Sequence, residues 1–164
     1  MIYLNGSPVM PTIFPDGTSQ VWKIEEELKP NQIAFVRWSF RHEGEFLHLA
    51  QLKDYLDSVG CQMTSLYLDY LPYGRQDKIV SNETTFALRS FAKLLNALKF
   101  NFVACFDPHS SVASSIIDRF HEVEPTYQFE KAFRETGSDC LCYPDHGALG
   151  KYAMMSDLPY IYGE

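Results

Sequence analysis

Basic residues are scarce in this sequence of 164 residues. Fourteen lysines and arginines stand against 21 aspartates and glutamates, which gives a formal net charge of −7. Proteins that bind nucleic acids generally carry clustered Lys and Arg, so the charge balance disfavours that function. A phosphorylated small molecule remains compatible with this charge, because such a ligand needs only a few well-placed cations.

Long apolar runs are also missing, and the amino terminus does not resemble a leader sequence. No stretch approaches the roughly 18 apolar residues that a membrane helix requires. The amino terminus, MIYLNGSPVMP, has neither a basic segment nor a long apolar core. We therefore expect a cytoplasmic protein that binds no membrane, and the length predicts one domain over residues 1–164.

Cysteine is infrequent, with four residues in the chain. Cys140 and Cys142 alternate along a strand-like segment, and no second pair of ligands accompanies them. Zinc sites generally need four such ligands at characteristic spacings, so the sequence does not favour one. In an apolar strand a reduced cysteine behaves as a small hydrophobic residue.

Two common catalytic and nucleotide-binding motifs are absent as well. The chain has no Gly-x-Ser-x-Gly nucleophile elbow, although Ser110 and Ser111 follow His109 directly. It also has no Walker-type phosphate loop, since GALGK at 147–151 is too short for one. A serine hydrolase and a P-loop nucleotidase are therefore disfavoured.

Apolar strand-like runs alternate with amphipathic segments along most of the chain. Strands are predicted at IAFVRWSF, MTSLYLDYL, NFVACF, DCLCY and LPYIYG, and helices over 43–61, 84–100, 112–120 and 125–134. Continuous apolar strands separated by helices are typical of a three-layer α/β/α domain with a mainly parallel sheet. Ligands bind such sheets beyond the carboxyl ends of the strands.

Polar residues follow three of these predicted strands. The segments are YLPYGRQDK at 70–78, DPHSS at 107–111 and PDHGALGK at 144–151. If the three strands are parallel neighbours, their ends bring six polar residues around one crevice. These are Arg75, Gln76, Asp77, Asp107, His109 and Asp145.

Each of these residues also has a structural interpretation when it is taken alone. Asp107 or Asp145 could cap a helix, His109 could be a surface or hydrogen-bonded histidine, and Arg75 with Asp77 could form an exposed ion pair. Taken together, carboxylates and an imidazole offer ligands to Mg²⁺, which completes its shell with water and phosphate oxygens. Arg75 can make forked hydrogen bonds to phosphate. The set is typical of a site for a Mg²⁺-nucleoside triphosphate.

The motifs together resemble those of the ribose-phosphate pyrophosphokinases, also called phosphoribosyl pyrophosphate synthetases. YLPYGRQDK resembles their nucleotide-binding signature, DPHS their Asp-x-His segment, and PDHGALGKYA their Pro-Asp-x-Gly segment. FPDGTSQVWKI at 14–24 resembles their early Phe-x-Asp-Gly-Glu hairpin. The residues in these motifs are closest to those of divergent family members from phages and some bacteria. The resemblance covers nearly the whole chain.

This resemblance implies a phosphoribosyltransferase-like fold and the transfer of diphosphate from Mg-ATP to ribose 5-phosphate. It assigns nucleotide binding to Phe14, Asp16, Arg75, Gln76 and Asp77, and Mg²⁺ binding to His109 and Asp145. In the family the early hairpin often reaches the nucleotide of a neighbouring subunit, so homo-oligomers are expected. Thr18 stands where the family usually has Glu.

The resemblance is to the amino-terminal half of such enzymes, which are roughly twice this length. The family's catalytic loop with Lys and Arg has no counterpart here, nor does the acidic, threonine-containing loop that binds ribose 5-phosphate. Catalytic residues therefore stay unassigned. The alternatives are a non-catalytic regulatory or assembly subunit of a full-length synthetase, or a phosphoribosyltransferase-like protein.

Overall fold

The computed structural model describes residues 1–153 and 159–163. The chain divides into two compact units, Met1–Val123 (unit 1) and Glu124–Glu164 (unit 2). Unit 1 contains β1 (Ile2–Leu4), β2 (Ser7–Val9), β3 (Thr12–Ile13), β4 (Ser19–Gln20), β5 (Ile33–Trp38), α1 (Glu45–Val59), β6 (Met63–Leu68), α2 (Ala87–Ala97), β7 (Phe102–Phe106), α3 (Ala113–Ile116) and β8 (Phe120–Val123).

A six-stranded mixed sheet forms the centre of unit 1, in the order β2-β1-β5-β6-β7-β8. Strands β5, β6, β7 and β8 are parallel to one another. Strand β1 pairs antiparallel with both β2 and β5. Because β5, β6 and β7 run in the same direction, their carboxyl ends lie at one edge of the sheet.

One face of this sheet and all three helices of unit 1 share a single hydrophobic core. Alternate strand residues such as Val36, Leu66 and Cys105 are fully buried in it. Trp38 packs between the helices, with its ring 6.1 Å from that of Phe46 on α1 and 6.2 Å from that of Phe91 on α2. The helices are thus fixed against one face of the sheet by the period-two pattern of the strands.

The opposite face, here called the outer face, carries the other residue of each alternating pair. Its members include Tyr3, Ile33, Phe35, Arg37, Met63, Ser65, Tyr67, Phe102, Ala104, Phe106, His121 and Val123. No helix of residues 1–123 contributes to this face, since the buried residues of α1, α2 and α3 belong to the core on the other side.

The α/β class with a mainly parallel sheet is confirmed, and most predicted elements are present. Helix α1 ends at Gly60, whose φ of +81° provides the left-handed stop that the sequence predicts. The helix predicted over 112–120 is wrong beyond one turn, because Ile117 is extended and Arg119 has a φ of +55°. The chain there turns into β8, which is stabilised by pairing with β7.

The sequence patterns missed the first hairpin, β1 and β2. Its strands are only three residues long, so neither shows a readable alternation. Asn5 and Gly6 make the turn with positive φ angles. Ile2 and Leu4 are buried in the core, so the hairpin extends the sheet beyond β5.

Unit 2 contains a short parallel strand pair connected through a helix. Its elements are α4 (Thr126–Thr136), β9 (Leu141–Tyr143), α5 (His146–Tyr152) and β10 (Tyr160–Tyr162). Strands β9 and β10 are parallel, with Ile161 opposite Cys142. The helix and strands predicted here are confirmed, except that Leu158, the first residue of the predicted last strand, lies outside the described residues.

Asn96 links α2 to the chain that leads into β8, and its replacement should destabilise unit 1. Its amide nitrogen donates to the Ile116 carbonyl at 3.0 Å, and its carbonyl oxygen accepts from the Asp118 N–H at 2.9 Å. We expect Asn96→Ala to lower the free energy of unfolding by about 1–3 kcal/mol, because both backbone groups lose a partner. Urea unfolding followed by circular dichroism measures this.

The matched control is Asn82→Ala, which changes an exposed asparagine in a turn. It should alter the unfolding free energy by less than about 0.5 kcal/mol. Equal losses in the two variants would contradict a linking role for Asn96.

Candidate functional site

A cleft of about 740 Å³ opens in unit 1 at the carboxyl ends of β5, β6 and β7. It is lined by Phe40, His42, Glu43, Gly44, Tyr70, Leu71, Tyr73, Gly74, Arg75, Gln76, Asp107 and His109. Arg75, Gln76, Asp107 and His109 are predicted crevice residues, and the structure brings these side chains together. The position is the one at which open parallel sheets bind ligands.

The turn after β6 presents two of these residues to solvent. The Gly74 N–H donates to the Leu71 carbonyl at 3.2 Å, and a Cβ at position 74 would lie 3.2 Å from that same oxygen. The position therefore favours glycine. Arg75 and Gln76 follow with exposed side chains, so the tightness of the turn directs an arginine and an amide toward the cleft.

Tyr73 holds this turn in place. Its φ is +62°, an uncommon conformation for a residue with a large side chain. The phenol donates a 2.7 Å hydrogen bond to Glu43 Oε1, the ring packs 5.5 Å from that of Phe91, and the carbonyl accepts from the Gln76 N–H at 2.9 Å. Contacts from the loop after β5 and from α2 thus stabilise the strained residue that precedes Arg75.

The loop after β7 supplies the second group of polar residues. Asp107 has a φ of +44° and its N–H donates to the Val123 carbonyl at 2.9 Å. Pro108 is buried, whereas His109 is exposed. This geometry places a half-buried carboxylate and an accessible imidazole in the wall of the same cleft as Arg75.

The donor set of the cleft is compatible with Mg²⁺ that is already bound to phosphate. No cluster of three or more His, Cys, Asp or Glu side chains suited to a metal is found among the described residues. Mg²⁺ bound with a nucleotide needs only one or two protein ligands, because phosphate oxygens and water complete its shell. Asp107 and His109 could supply such ligands.

The predicted hairpin residues lie elsewhere. Phe14 lines a separate hollow beside β4 and α1, and neither Phe14 nor Asp16 lines the cleft. Asp16 Oδ1 accepts from the Thr18 N–H at 2.9 Å and from the Thr18 hydroxyl at 2.7 Å. The hydroxyl and amide bonds lower the pKa of Asp16. Thr18 therefore fixes the carboxylate of Asp16.

The hairpin is attached to helix α1 by side-chain hydrogen bonds. Ser19 Oγ lies 2.7 Å from His48 Nε2, and the Gln51 amide donates to the Ser19 carbonyl at 3.0 Å. Burial lowers the pKa of His48, so the neutral imidazole is favoured there. The β3–β4 hairpin consequently projects Phe14 and Asp16 from a firmly held base.

Two further predicted residues have structural surroundings that the sequence left open. Asp77 is half-buried next to Gln76 but does not line the cleft. Asp145, in unit 2, caps helix α5 by accepting from the Ala148 N–H at 2.8 Å. The capping role considered for Asp145 is thus present, and its role as a Mg²⁺ ligand stays a prediction.

Sequence reasoning missed the third wall of the cleft, formed by Phe40, His42 and Glu43 after β5. The signal was available, because RHEG follows the strand IAFVRWSF as a polar strand end. Like YLPYGRQDK and DPHSS, this segment is a polar stretch directly after a predicted strand.

None of the helices in the described part of the chain has the length and apolar character that crossing a membrane requires.

The hydrogen bond between Tyr73 and Glu43 should make the folded protein less stable in strong alkali, where the phenol loses its proton. Partial burial, the hydrogen bond to Glu43 and the charge of Glu43 raise the pKa of Tyr73 to about 12. The folded state therefore holds the phenol proton more tightly than the unfolded chain, whose tyrosine pKa is about 10. The stabilisation is complete below about pH 10 and is lost as the pH rises through about 12.

Unfolding by urea between pH 9 and 12 tests this expectation. Tyr73→Phe and Glu43→Gln should both flatten the decline in stability that wild type shows above pH 10. Superimposable pH profiles for wild type and Tyr73→Phe would show that this pair does not control the alkaline transition.

The chain has recognisable relatives among known proteins, although it matches no family model. Ribose-phosphate pyrophosphokinase from Pyrococcus furiosus is 24% identical over 148 residues, covering 88% of this chain and 52% of that protein. The phosphoribosylpyrophosphate synthetase of Mycobacterium smegmatis superimposes with a TM-score of 0.73 at 17% identity, covering 94% of this chain and 55% of that one.

The chain thus spans about half the length of the proteins that it matches. The sequence similarity extends over most of this chain, and the structural likeness shows that it has the same fold. The resemblance to the ribose-phosphate pyrophosphokinase family that the motifs predicted is thereby confirmed.

Proposed function

We propose that the cleft binds Mg-ATP and that the chain is the nucleotide-binding part of a ribose-phosphate pyrophosphokinase-like enzyme. The observation that carries this proposal is the convergence of Arg75, Gln76, Asp107 and His109 on one cleft. They come from two separate motifs that the family resemblance nominates. The similarity to the ribose-phosphate pyrophosphokinase of Pyrococcus furiosus also supports this proposal.

Different side chains of the cleft contact different parts of the Mg-ATP ligand. Arg75 makes forked, charge-assisted hydrogen bonds to phosphate oxygens, and Gln76 offers a donor and an acceptor to ribose or base. Asp107 and His109 hold Mg²⁺, which neutralises phosphate charge. One carboxylate oxygen of Glu43 is already engaged, since it accepts from Tyr73 on the wall of the cleft.

Transfer of diphosphate from ATP to ribose 5-phosphate is the reaction that we propose for the complete enzyme. Phosphoryl-type transfer depends on cations that stabilise the charge of the transferring group and on positioning of both substrates. The residues of this cleft would position ATP. The groups that bind ribose 5-phosphate and catalyse the transfer stay unassigned.

The role of Arg75 is tested by titrating Mg-ATP into the protein in a calorimeter. Arg75→Ala should weaken the affinity by roughly tenfold or more, because a charge-assisted hydrogen bond contributes about 1.5–3 kcal/mol. Arg89→Ala is the matched control, since Arg89 is an exposed arginine on α2 outside the cleft, and it should bind as wild type does.

Equal weakening in both variants would indicate a general effect of charge rather than a contact with phosphate. If wild type does not bind Mg-ATP at all, the nucleotide site is wrong and a role in assembly with a full-length synthetase is favoured.

Formation of AMP from ATP and ribose 5-phosphate separates binding from catalysis. Because the chain spans about half of its relatives, we expect Mg-ATP to bind with little or no AMP formed. Rapid AMP formation that depends on ribose 5-phosphate would show instead that the chain carries a complete active site.

A further inference from the structure

A second hollow of unit 1 lies where helices α1 and α2 meet the loops after β5 and β6. Its volume is about 520 Å³, which is within the range of sites that bind small molecules. Five aromatic side chains line it, namely Trp38, Phe40, Phe46, Tyr73 and Phe91. The proposed nucleotide site leaves this hollow without a role.

The five rings form one connected cluster. The Trp38 ring lies 5.5 Å from that of Phe40 and 6.1 Å from that of Phe46. The Phe91 ring lies 6.2 Å from Trp38 and 5.5 Å from Tyr73. Trp38 and Phe91 are buried, whereas the other three are half-buried. The faces of aromatic rings are negative, so such a cluster attracts cations as well as apolar groups.

Glu43 is the one charged side chain among the described residues that line this hollow. Its Oε1 accepts the 2.7 Å hydrogen bond from the Tyr73 phenol, and its Oε2 has no partner among the described residues. Tyr73 thus holds the carboxylate in position, while one of its oxygens can still accept a hydrogen bond. The hollow combines a fixed anion with apolar rings.

We propose that this hollow binds a small organic ammonium ion with an apolar body, such as an arylalkylamine. The rings contact the apolar body, and the ammonium donates a charge-assisted hydrogen bond to Glu43 Oε2. The net charge of −7 favours a cationic ligand over an anionic one. The proposal does not depend on nucleotide binding, because Trp38, Phe46 and Phe91 do not line the cleft.

Exposed side chains from both helices form the rim of the hollow. Leu47 on α1 is 57% exposed and Leu94 on α2 is 56% exposed, and both line the hollow. Ser90, which is exposed on α2 one turn before Leu94, lines it as well. Exposed apolar residues around an opening are typical of surfaces that a ligand covers. A larger side chain at position 90 should narrow this opening.

The fluorescence of Trp38 can report binding in the hollow directly. The chain has two tryptophans, and Trp22 does not line the hollow, so in Trp22→Phe the emission comes from Trp38 alone. Titration of phenethylamine, which is a cation at pH 7, should change this emission. The neutral analogue 2-phenylethanol has the same ring and chain length. It should bind at least about tenfold more weakly, because it lacks the charged donor.

Replacing the carboxylate tests the preference for a cation. Glu43→Gln keeps an acceptor for the Tyr73 phenol but removes the charge, so phenethylamine should lose its advantage over 2-phenylethanol. Glu122→Gln is the matched control, since Glu122 is exposed on β8 outside the hollow, and it should keep that advantage. All of these variants are made in the Trp22→Phe protein, and circular dichroism verifies that they are folded.

A second pair of variants locates the ligand. Ser90→Leu should weaken the binding of both molecules by roughly fivefold or more, because the larger side chain occupies the rim. Ser115→Leu is its control, since Ser115 is exposed on α3 outside the hollow. Arg75→Ala, which removes the proposed phosphate contact, should bind phenethylamine as the parent protein does. Failure of the nucleotide site would therefore leave this proposal standing.

Three results would overturn the proposal. An unchanged Trp38 emission would show that phenethylamine does not enter the hollow. Equal affinities for phenethylamine and 2-phenylethanol would show that Glu43 does not select a cation. Binding of phenethylamine that Ser90→Leu leaves intact would place the amine elsewhere, for example in the cleft, which Glu43 also lines.

Discussion

The parallel pairing of β5, β6 and β7 is the constraint on which the rest of unit 1 depends. It places the ends of these strands at one edge of the sheet, so the segments after them form a common cleft. The pairing is fixed by alternate residues that are buried against α1 and α2, with Trp38 between the two helices. A slip of one residue in any strand would turn these side chains to the wrong face.

The cleft combines a backbone turn that is held rigidly with exposed side chains that can contact a ligand. Tyr73 and Gly74 are held by hydrogen bonds and packing, whereas Arg75 and Gln76 beyond them are exposed. Strain at such a position is tolerated when the surrounding contacts determine it, and it commonly accompanies binding sites. The rigid residues of the motif are therefore those that position its polar ones.

The two faces of the sheet have different environments although their strands are similarly apolar. Helices cover one face, while the other exposes Phe35, Ile33 and their neighbours. The local patterns predicted helices and parallel strands, but the placement of α1, α2 and α3 on one face depends on which strands are neighbours. Strand order is a tertiary property that periodicity does not encode.

Most of the helices and strands, the α/β class and the turn that carries Arg75 and Gln76 could be predicted from the sequence alone. These features depend on local periodicity, on glycine and proline, and on motifs of a few residues. Three other features were visible only in the folded structure: Glu43 bonds Tyr73 in the cleft wall, Phe14 and Asp16 lie outside the cleft, and residues 120–123 form a strand. Each of these results from contacts between segments distant in the chain, because a side chain's partners are set by strand order and packing.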